Sequence, residues 1–229
     1  MEKREIQIIR MRSYFIDATV QIIEEEGIEH VTIRRVADIA GYNSATIYNY
    51  FKEVSHLIFF AAMKYLKRYV EALPKFIEVG ENAFERFLLV WECFCKYSFE
   101  EPKIYHAIFT SDLGGETPKK LIDEYYDTFP TELVNLPLEL KSMFLESSLS
   151  KRGIIALEEC IVSGHIKEQH AEDINEFCIL IWQGMHIMML NNRRSYTVDE
   201  ATNVTMKYIR DIVLNAQHFQ FKTPSILKD

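Results

Sequence analysis

Hydrophobic positions along the chain recur at alternating intervals of three and four. Ile8, Met11, Phe15, Ala18 and Ile22 show it first, and that spacing lays one apolar stripe along a helix. Glu24-Glu25-Glu26-Gly27 ends the stripe, with glycine as the stop. Thr32 reads as an N-cap for a helix of barely two turns over 33–40. Gly41-Tyr42-Asn43 reads as a turn, after which Asn43 or Ser44 can cap a second short helix over 44–50. A longer apolar-rich segment at about 55–73 is expected to stop before Pro74. No flexible linker precedes it, so it is expected to join the first part of the chain rigidly to the rest.

Further helical blocks are predicted at 82–99, 102–110, 118–128, 137–148, 151–162, 171–191 and 198–216. Prolines stand at helix starts, where the missing N–H costs nothing. Strand alternation and hairpin turns are absent, and 112–116 reads as a loop. The predicted fold class is all-α.

Composition narrows the function classes. The 229 residues are 48% hydrophobic and 26% charged, with eight Gly and six Pro, an ordinary globular balance. No apolar run reaches the roughly 18–20 residues of a membrane span. The charged opening Met1-Glu2-Lys3-Arg4-Glu5 is unlike an export signal, so a cytoplasmic protein with no membrane partner is expected. The four cysteines, Cys93, Cys95, Cys160 and Cys178, then read as reduced packing thiols. Net charge is −8, but unevenly spread: residues 1–68 hold ten Lys and Arg against nine Asp and Glu, and the remainder carries the acid excess. A near-neutral head on an acidic body keeps nucleic acid in play.

The informative stretch is 32–51. Two short helices joined at a Gly-containing turn form a helix-turn-helix. Ala37 is small where the helices approach, Gly41 allows the turn, and Ile47 can plug the angle between them. Ser44, Ala45, Thr46, Tyr48, Asn49 and Tyr50 leave a face of short, hydroxylic or amide groups, suited to entering a major groove. Arg34, Arg35 and Lys52 flank it with charge for the phosphate backbone. The bland alternative is a helical hairpin within a bundle. Spacing, caps and flanking charge together favour DNA.

At these residues the chain resembles the TetR family of bacterial transcriptional regulators. The resemblance runs from Phe15 to Leu57 and rests on Asp17-Ala18, Gly27, Thr32-Ile33, Val36-Ala37, Ala40-Gly41, Thr46-Ile47-Tyr48 and Tyr50-Phe51. Tyr42, Asn43 and Ala45 depart from the usual residues, and Val54 stands where a phosphate-touching Lys is common; Lys52 is the candidate substitute. The resemblance implies a three-helix DNA-binding domain, 1–52, joined by a long helix to a helical effector-binding and dimerisation domain, 53–229. It implies DNA contacts at Thr32, Arg34, Asn43, Ser44, Thr46, Tyr48, Asn49 and Lys52. Tyr50 can contact DNA or pack. By their chemistry Thr32, Tyr48 and Lys52 suit phosphates, and Ser44, Thr46 and Asn49 suit base edges.

The body is read less sharply. Its last two long helices resemble the family's dimer-forming pair, with a stripe of Ile179, Trp182, His186 and Met189 on one and Val204, Tyr208, Asp211 and Asn215 on the other. One short helix reads few bases, so two heads on a palindromic operator are expected. Trp91, Phe94, Tyr97, Tyr105, Phe109, Tyr125, Trp182, Met185, His186 and Met189 are the candidate walls of an effector pocket. Its polar group would be met by His186, Tyr97, Gln183 or Glu92. His165, Glu168, Gln169 and His170 lack the spacing of a closed metal set, and no nucleophile elbow or phosphate loop appears. Neither a cofactor, a metal nor an enzyme activity is expected. The expected protein is a homodimeric, ligand-responsive regulator, acting as a repressor and released from DNA by a mostly apolar small molecule. The alternative is a DNA-binding adaptor whose signal is a partner protein.

Overall fold

The computed structural model describes residues 3–133 and 136–215. Eleven α-helices and two short 3-10 turns occur among the described residues, and no strand. Helix α1, Lys3–Glu26, buries Phe15, Ile16, Ala18, Thr19 and Ile22; of the expected stripe its later part is buried, while Met11 is half-buried and Ile8 exposed. Helix α2, Ile33–Ala40, begins where the Thr32 hydroxyl accepts the amide of Arg35. It ends at Gly41, whose φ of 75° lets the amides of Gly41 and Tyr42 both return to Ala37 O. Helix α3, Ser44–Ile47, is capped by the Asn43 side chain on Thr46 N. It is a single turn rather than the expected run to Tyr50. Beyond Ile47 the amides of Asn49 and Tyr50 bond three residues back, to Thr46 O and Ile47 O, which tightens the backbone into turns.

Helix α4, Val54–Ile77, is longer than predicted and passes through Pro74 instead of stopping before it. Pro74 lies in its last turn, where few bonds remain to be lost, and Glu78 N still closes on Pro74 O at 3.1 Å. Eleven side chains of α4 are buried, so it is a core strut as well as a connector. Helix α5, Ala83–Glu100, capped by Asn82, lies at the centre of the body. It packs against α4, α9 (Leu149–Val162), α10 (Glu168–Leu190) and α11 (Val198–Asn215). Helices α6, Pro102–Phe109, and α7, Pro118–Thr128, brace α4, while α8, Leu138–Leu145, leans on α9. The expected blocks thus appear with shifted ends. Helix α10 starts three residues before 171, and position 216, the expected end of the last helix, lies outside the described residues. All four cysteines are free and buried, and burial pushes the Cys95 thiol well above its ordinary range. No helix among the described residues is long and apolar enough to cross a membrane.

The head is clasped to the body at several points. Arg12 of α1 pairs with Glu124 of α7 at 2.8 Å, and its guanidinium lies over Phe60 at 5.6 Å. Glu29 pairs with Lys103 of α6 at 2.7 Å. Lys52 pairs with Glu116 in the loop between α6 and α7.

Candidate DNA-reading surface and effector cleft

The candidate DNA-contact residues gather around the turn at Gly41. Thr32, Arg34, Asn43, Tyr48, Asn49 and Lys52 are exposed, and Ser44, Thr46 and Tyr50 are half-buried. Tyr48 is 55% exposed, which leaves much of a large ring open to solvent. Ile47 and Phe51 are buried beneath, as the spacing required. Several of these groups already hold the fold. Thr46 Oγ1 donates to Asn43 Oδ1 at 3.0 Å, and that same oxygen caps Thr46 N at 2.9 Å. What Asn43 keeps for a ligand is therefore its Nδ2 donor, which suits a phosphate oxygen better than a base donor. Tyr50 packs, its ring 5.8 Å from that of Phe15.

Two of the expected cations are committed elsewhere. Arg35 is paired with Glu26, so of the flanking arginines only Arg34 is without an ion pair among the described residues. Lys52 shares Glu116 with Lys120, which lies 2.8 Å from it. Val54, in place of the usual Lys, packs against the core at the first turn of α4.

In the body, the structure brings together most of the predicted pocket aromatics. Phe94 is the hub: its ring centroid lies 6.0 Å from Trp91, 5.7 Å from Tyr105, 5.5 Å from Phe109 and 5.0 Å from Trp182. Tyr97 and Phe94 both touch Tyr69. Tyr125 is not part of this group. Its ring neighbours are Phe60, Tyr126 and Phe129, and its hydroxyl donates to Glu132 at 2.7 Å. Met185 and Met189 are half-buried on α10.

The expected polar contacts are largely misplaced. Gln183 and Glu92 point outward. His186 is buried, stacked on Trp182, and its Nε2 lies 3.0 Å from Pro102 O; burial pushes its pKa down to about 4. Trp182 Nε1 donates to Ser98 Oγ at 2.9 Å, joining α10 to α5. The expected dimer stripe on α10 therefore fails as drawn. Ile179, Trp182 and His186 face the protomer's own core. Helix α10 is apolar on most sides, so its free face is the other one, with Leu180 54% and Ile187 46% exposed and open space over Gly184. The α11 residues named with them do stand outward: Tyr208, Asp211 and Asn215 are exposed and Val204 is half-buried.

One feature of the body escaped the sequence reading. A cleft lined by Tyr69, Val90, Trp91, Phe94, Met143 and Ala156 also has Arg152 on its wall. An arginine between Lys151 and Gly153 on a helix reads as solvent-facing, yet Arg152 is buried.

With this geometry in place, likeness to known proteins becomes specific. Residues 15–57 match the family described as bacterial regulatory proteins, tetR family. A curated relative, an HTH-type transcriptional regulator of Staphylococcus aureus (strain bovine RF122 / ET3-1), is 20% identical over 117 residues, 49% of this chain and 63% of that relative. The match thus spans less than two thirds of the relative's length. Among solved structures, FadR of Thermus thermophilus, a TetR-family transcriptional repressor in complex with lauroyl-CoA, superposes with a TM-score of 0.58. It is 12% identical, over 93% of this chain and 98% of that one. The transcriptional regulator FadR of Bacillus subtilis, in complex with stearoyl-CoA, gives 0.55 at 17% identity over 89% and 98%. At such identities the likeness establishes the fold, and the match at 15–57 establishes the head. Over residues 15–57 the chain matches the tetR family of bacterial regulatory proteins, and its helical fold is like that of solved TetR-family regulators.

Proposed function

We propose that the chain is a homodimeric transcriptional regulator that represses from a palindromic operator and is released by a mostly apolar small molecule. The observation that carries the reading is the pair of caps at Thr32 and Asn43. They set two short helices around Gly41 and leave Tyr48 and Asn49 exposed in the turns that follow the second, with Ile47 buried beneath. In this reading residues 1–52 read DNA and 53–229 hold the effector and the partner copy. Ser44, Thr46 and Asn49 address base edges, and Thr32, Arg34, Asn43, Tyr48 and Lys52 address phosphates. The partner copy covers Leu180, Gly184 and Ile187 of α10 together with Val204 and Tyr208 of α11, because two packed helices otherwise leave an apolar stripe in water.

The effector occupies the aromatic cleft between α5, α8 and α9. Support comes from the cleft itself and from the two FadR neighbours, whose bound lauroyl-CoA and stearoyl-CoA are ligands with long apolar chains. A recessed cleft walled by Trp91 and Phe94 favours a small molecule over a partner protein as the signal. The test is operator binding by fluorescence anisotropy, using the DNA upstream of the coding sequence. Tyr48→Ala and Thr46→Ala should each weaken binding about tenfold or more while far-ultraviolet circular dichroism stays unchanged. Equal operator affinity in both variants would remove these residues from the interface.

A further inference from the structure

The effector cleft ends on a charge. Arg152 is 5% exposed, and it has no ion-pair partner among the described residues. Glu146, a nearby carboxylate, pairs instead with Lys151 at 3.7 Å. Two of its nitrogens cap the end of α8: Nε donates to Glu146 O at 2.7 Å and Nη2 to Phe144 O at 3.2 Å. Nη1 has no hydrogen-bond partner among the described residues, and the side chain lines the cleft. The guanidinium plane lies over Phe109 at 5.2 Å and Phe144 at 5.9 Å.

Phenols gather at the same end. Tyr69 lines the cleft, with its ring 5.5 Å from Phe144, and Tyr105 stands 5.9 Å from Phe109. The Tyr105 hydroxyl is buried with no partner among the described residues. Burial holds both phenols protonated far into alkali, so they are available as donors. A buried guanidinium without a counter-ion is costly unless something completes it. Arginine is also the side chain whose fork best fits a carboxylate.

The inner cleft is otherwise apolar, walled by Val90, Trp91, Phe94, Met143, Leu149 and Ala156. A second, outer cleft lined by Ile77, Phe87, Leu140, Ile155 and Val162, with Arg86, Glu139, Glu158 and Glu159 also on its walls, shares Val90, Met143 and Ala156 with the inner one. The two clefts adjoin along those three shared side chains.

We propose that these adjoining clefts bind an apolar monocarboxylate, its carboxylate on Nη1 of Arg152 beside the Tyr69 hydroxyl and its hydrocarbon running outward past Met143 to Leu140. The inference rests on the effector reading above and narrows it to an acid. An acyl thioester offers no charge at the chain end, so its recognition would leave Arg152 uncompensated.

Isothermal titration of the full-length protein tests it with matched pairs: octanoate against octanol, dodecanoate against dodecanol, 2-naphthoate against 2-naphthol, and dodecanoyl-CoA as a separate arm. At least one acid should bind about tenfold or more tightly than its alcohol. Arg152→Gln should erase that preference while alcohol binding persists. Tyr69→Phe removes a hydroxyl and leaves the ring packing, so it should fold normally and lose several-fold for the acid alone. Acid and alcohol binding equally, no pair binding at all, or dodecanoyl-CoA outcompeting every acid would each overturn the proposal. Operator release is measured separately. An acid that binds with the expected Arg152 dependence but leaves DNA binding unchanged sinks the regulator reading and keeps the carboxylate site.

Discussion

The ring Nε2 of His56 lies 2.9 Å from the carbonyl oxygen of Leu113, tying the first turn of α4 to the loop that follows α6. The neighbours of this pair repeat the tie. Lys52 meets Glu116, and Gly114 sits against the carboxylate of Glu53. Four residues before Leu113, Phe109 ends α6 under the Arg152 guanidinium. One short segment, 109–116, therefore touches both Arg152, on the wall of the aromatic cleft, and Lys52 and Glu53 at the base of the helix-turn-helix. A ligand that shifts Phe109 has a direct mechanical route to Lys52, and it acts through its difference in affinity for the two arrangements.

Gly114 is the point at which that route can be loosened. Its φ is 59°, and a Cβ there would run into the Glu53 carboxylate. Gly114→Ala adds a left-handed strain of about 1 kcal/mol and pushes a flexible side chain aside. Thermal unfolding should shift down by about 2–4 °C, and the ratio of operator affinities with and without effector should shrink. An unchanged ratio would place the signal on another path.

Lys52 and Glu116 set the electrostatics of the same junction. Hydrogen bonds from Lys120 and Lys52 hold the Glu116 carboxyl down to about 2, so it is charged wherever the protein is folded near neutrality and competes with DNA for Lys52. Glu116→Gln should tighten operator binding a few-fold at low salt. Lys52→Ala should weaken it for every sequence alike and reduce the slope of log K against log salt by about 1. Anisotropy titrations across a potassium chloride series read both effects. An unaltered slope in Lys52→Ala would show that the missing Lys at Val54 has no substitute.

The head was legible because its signals are local. Thr32, Gly41, Asn43 and Ile47 each act within a few residues, and each stands where its chemistry required. What failed there was extent: nothing in Tyr48-Asn49-Tyr50 announces that the helix tightens after one turn. The body was legible as helices but not as faces. Helix α10 carries apolar residues nearly all round, so its periodicity does not say whether Trp182 or Leu180 looks inward. Ser98, 84 residues away, settles it by accepting from Trp182. Arg152 was hidden for the same reason, since its environment is made by Phe109, Tyr69 and Tyr105, residues distant in sequence.

The free face of α10 gives a clean oligomer test. Leu180 and Ile187 are seven residues apart and both about half exposed, with Gly184 between them offering no side chain to hold a partner helix off. A charge on this stripe would be desolvated in a dimer and harmless in a monomer. Leu180→Glu should move the protein from dimer to monomer in sedimentation velocity and abolish binding to a two-half-site operator, with thermal unfolding shifted only through lost association. A Leu180→Glu dimer would assign the interface elsewhere.

His186 predicts an acid sensitivity whose sign is fixed by burial. Stacked 4.9 Å from Trp182 and bonded to Pro102 O, it must carry its proton on Nε2 to donate, and it is neutral when folded. Desolvation lowers its pKa to about 4, opposed by the Pro102 bond, whereas an unfolded histidine titrates near about 6.5. Above that value both states are neutral and the contribution to stability is complete. As pH falls from about 6.5 towards about 4, the unfolded chain takes up the proton first and stability declines. Below about 4 both states are protonated and the decline stops. The full loss is on the order of 3 kcal/mol. His186→Gln removes the titration while offering an amide donor to Pro102 O. Urea unfolding from pH 7 to pH 4.5 should show the wild type losing stability faster than His186→Gln, by up to roughly 1.4 kcal/mol per pH unit. Parallel profiles would mean that His186 charges as readily in the folded protein as in the unfolded chain, and that the Trp182 stack is open to water.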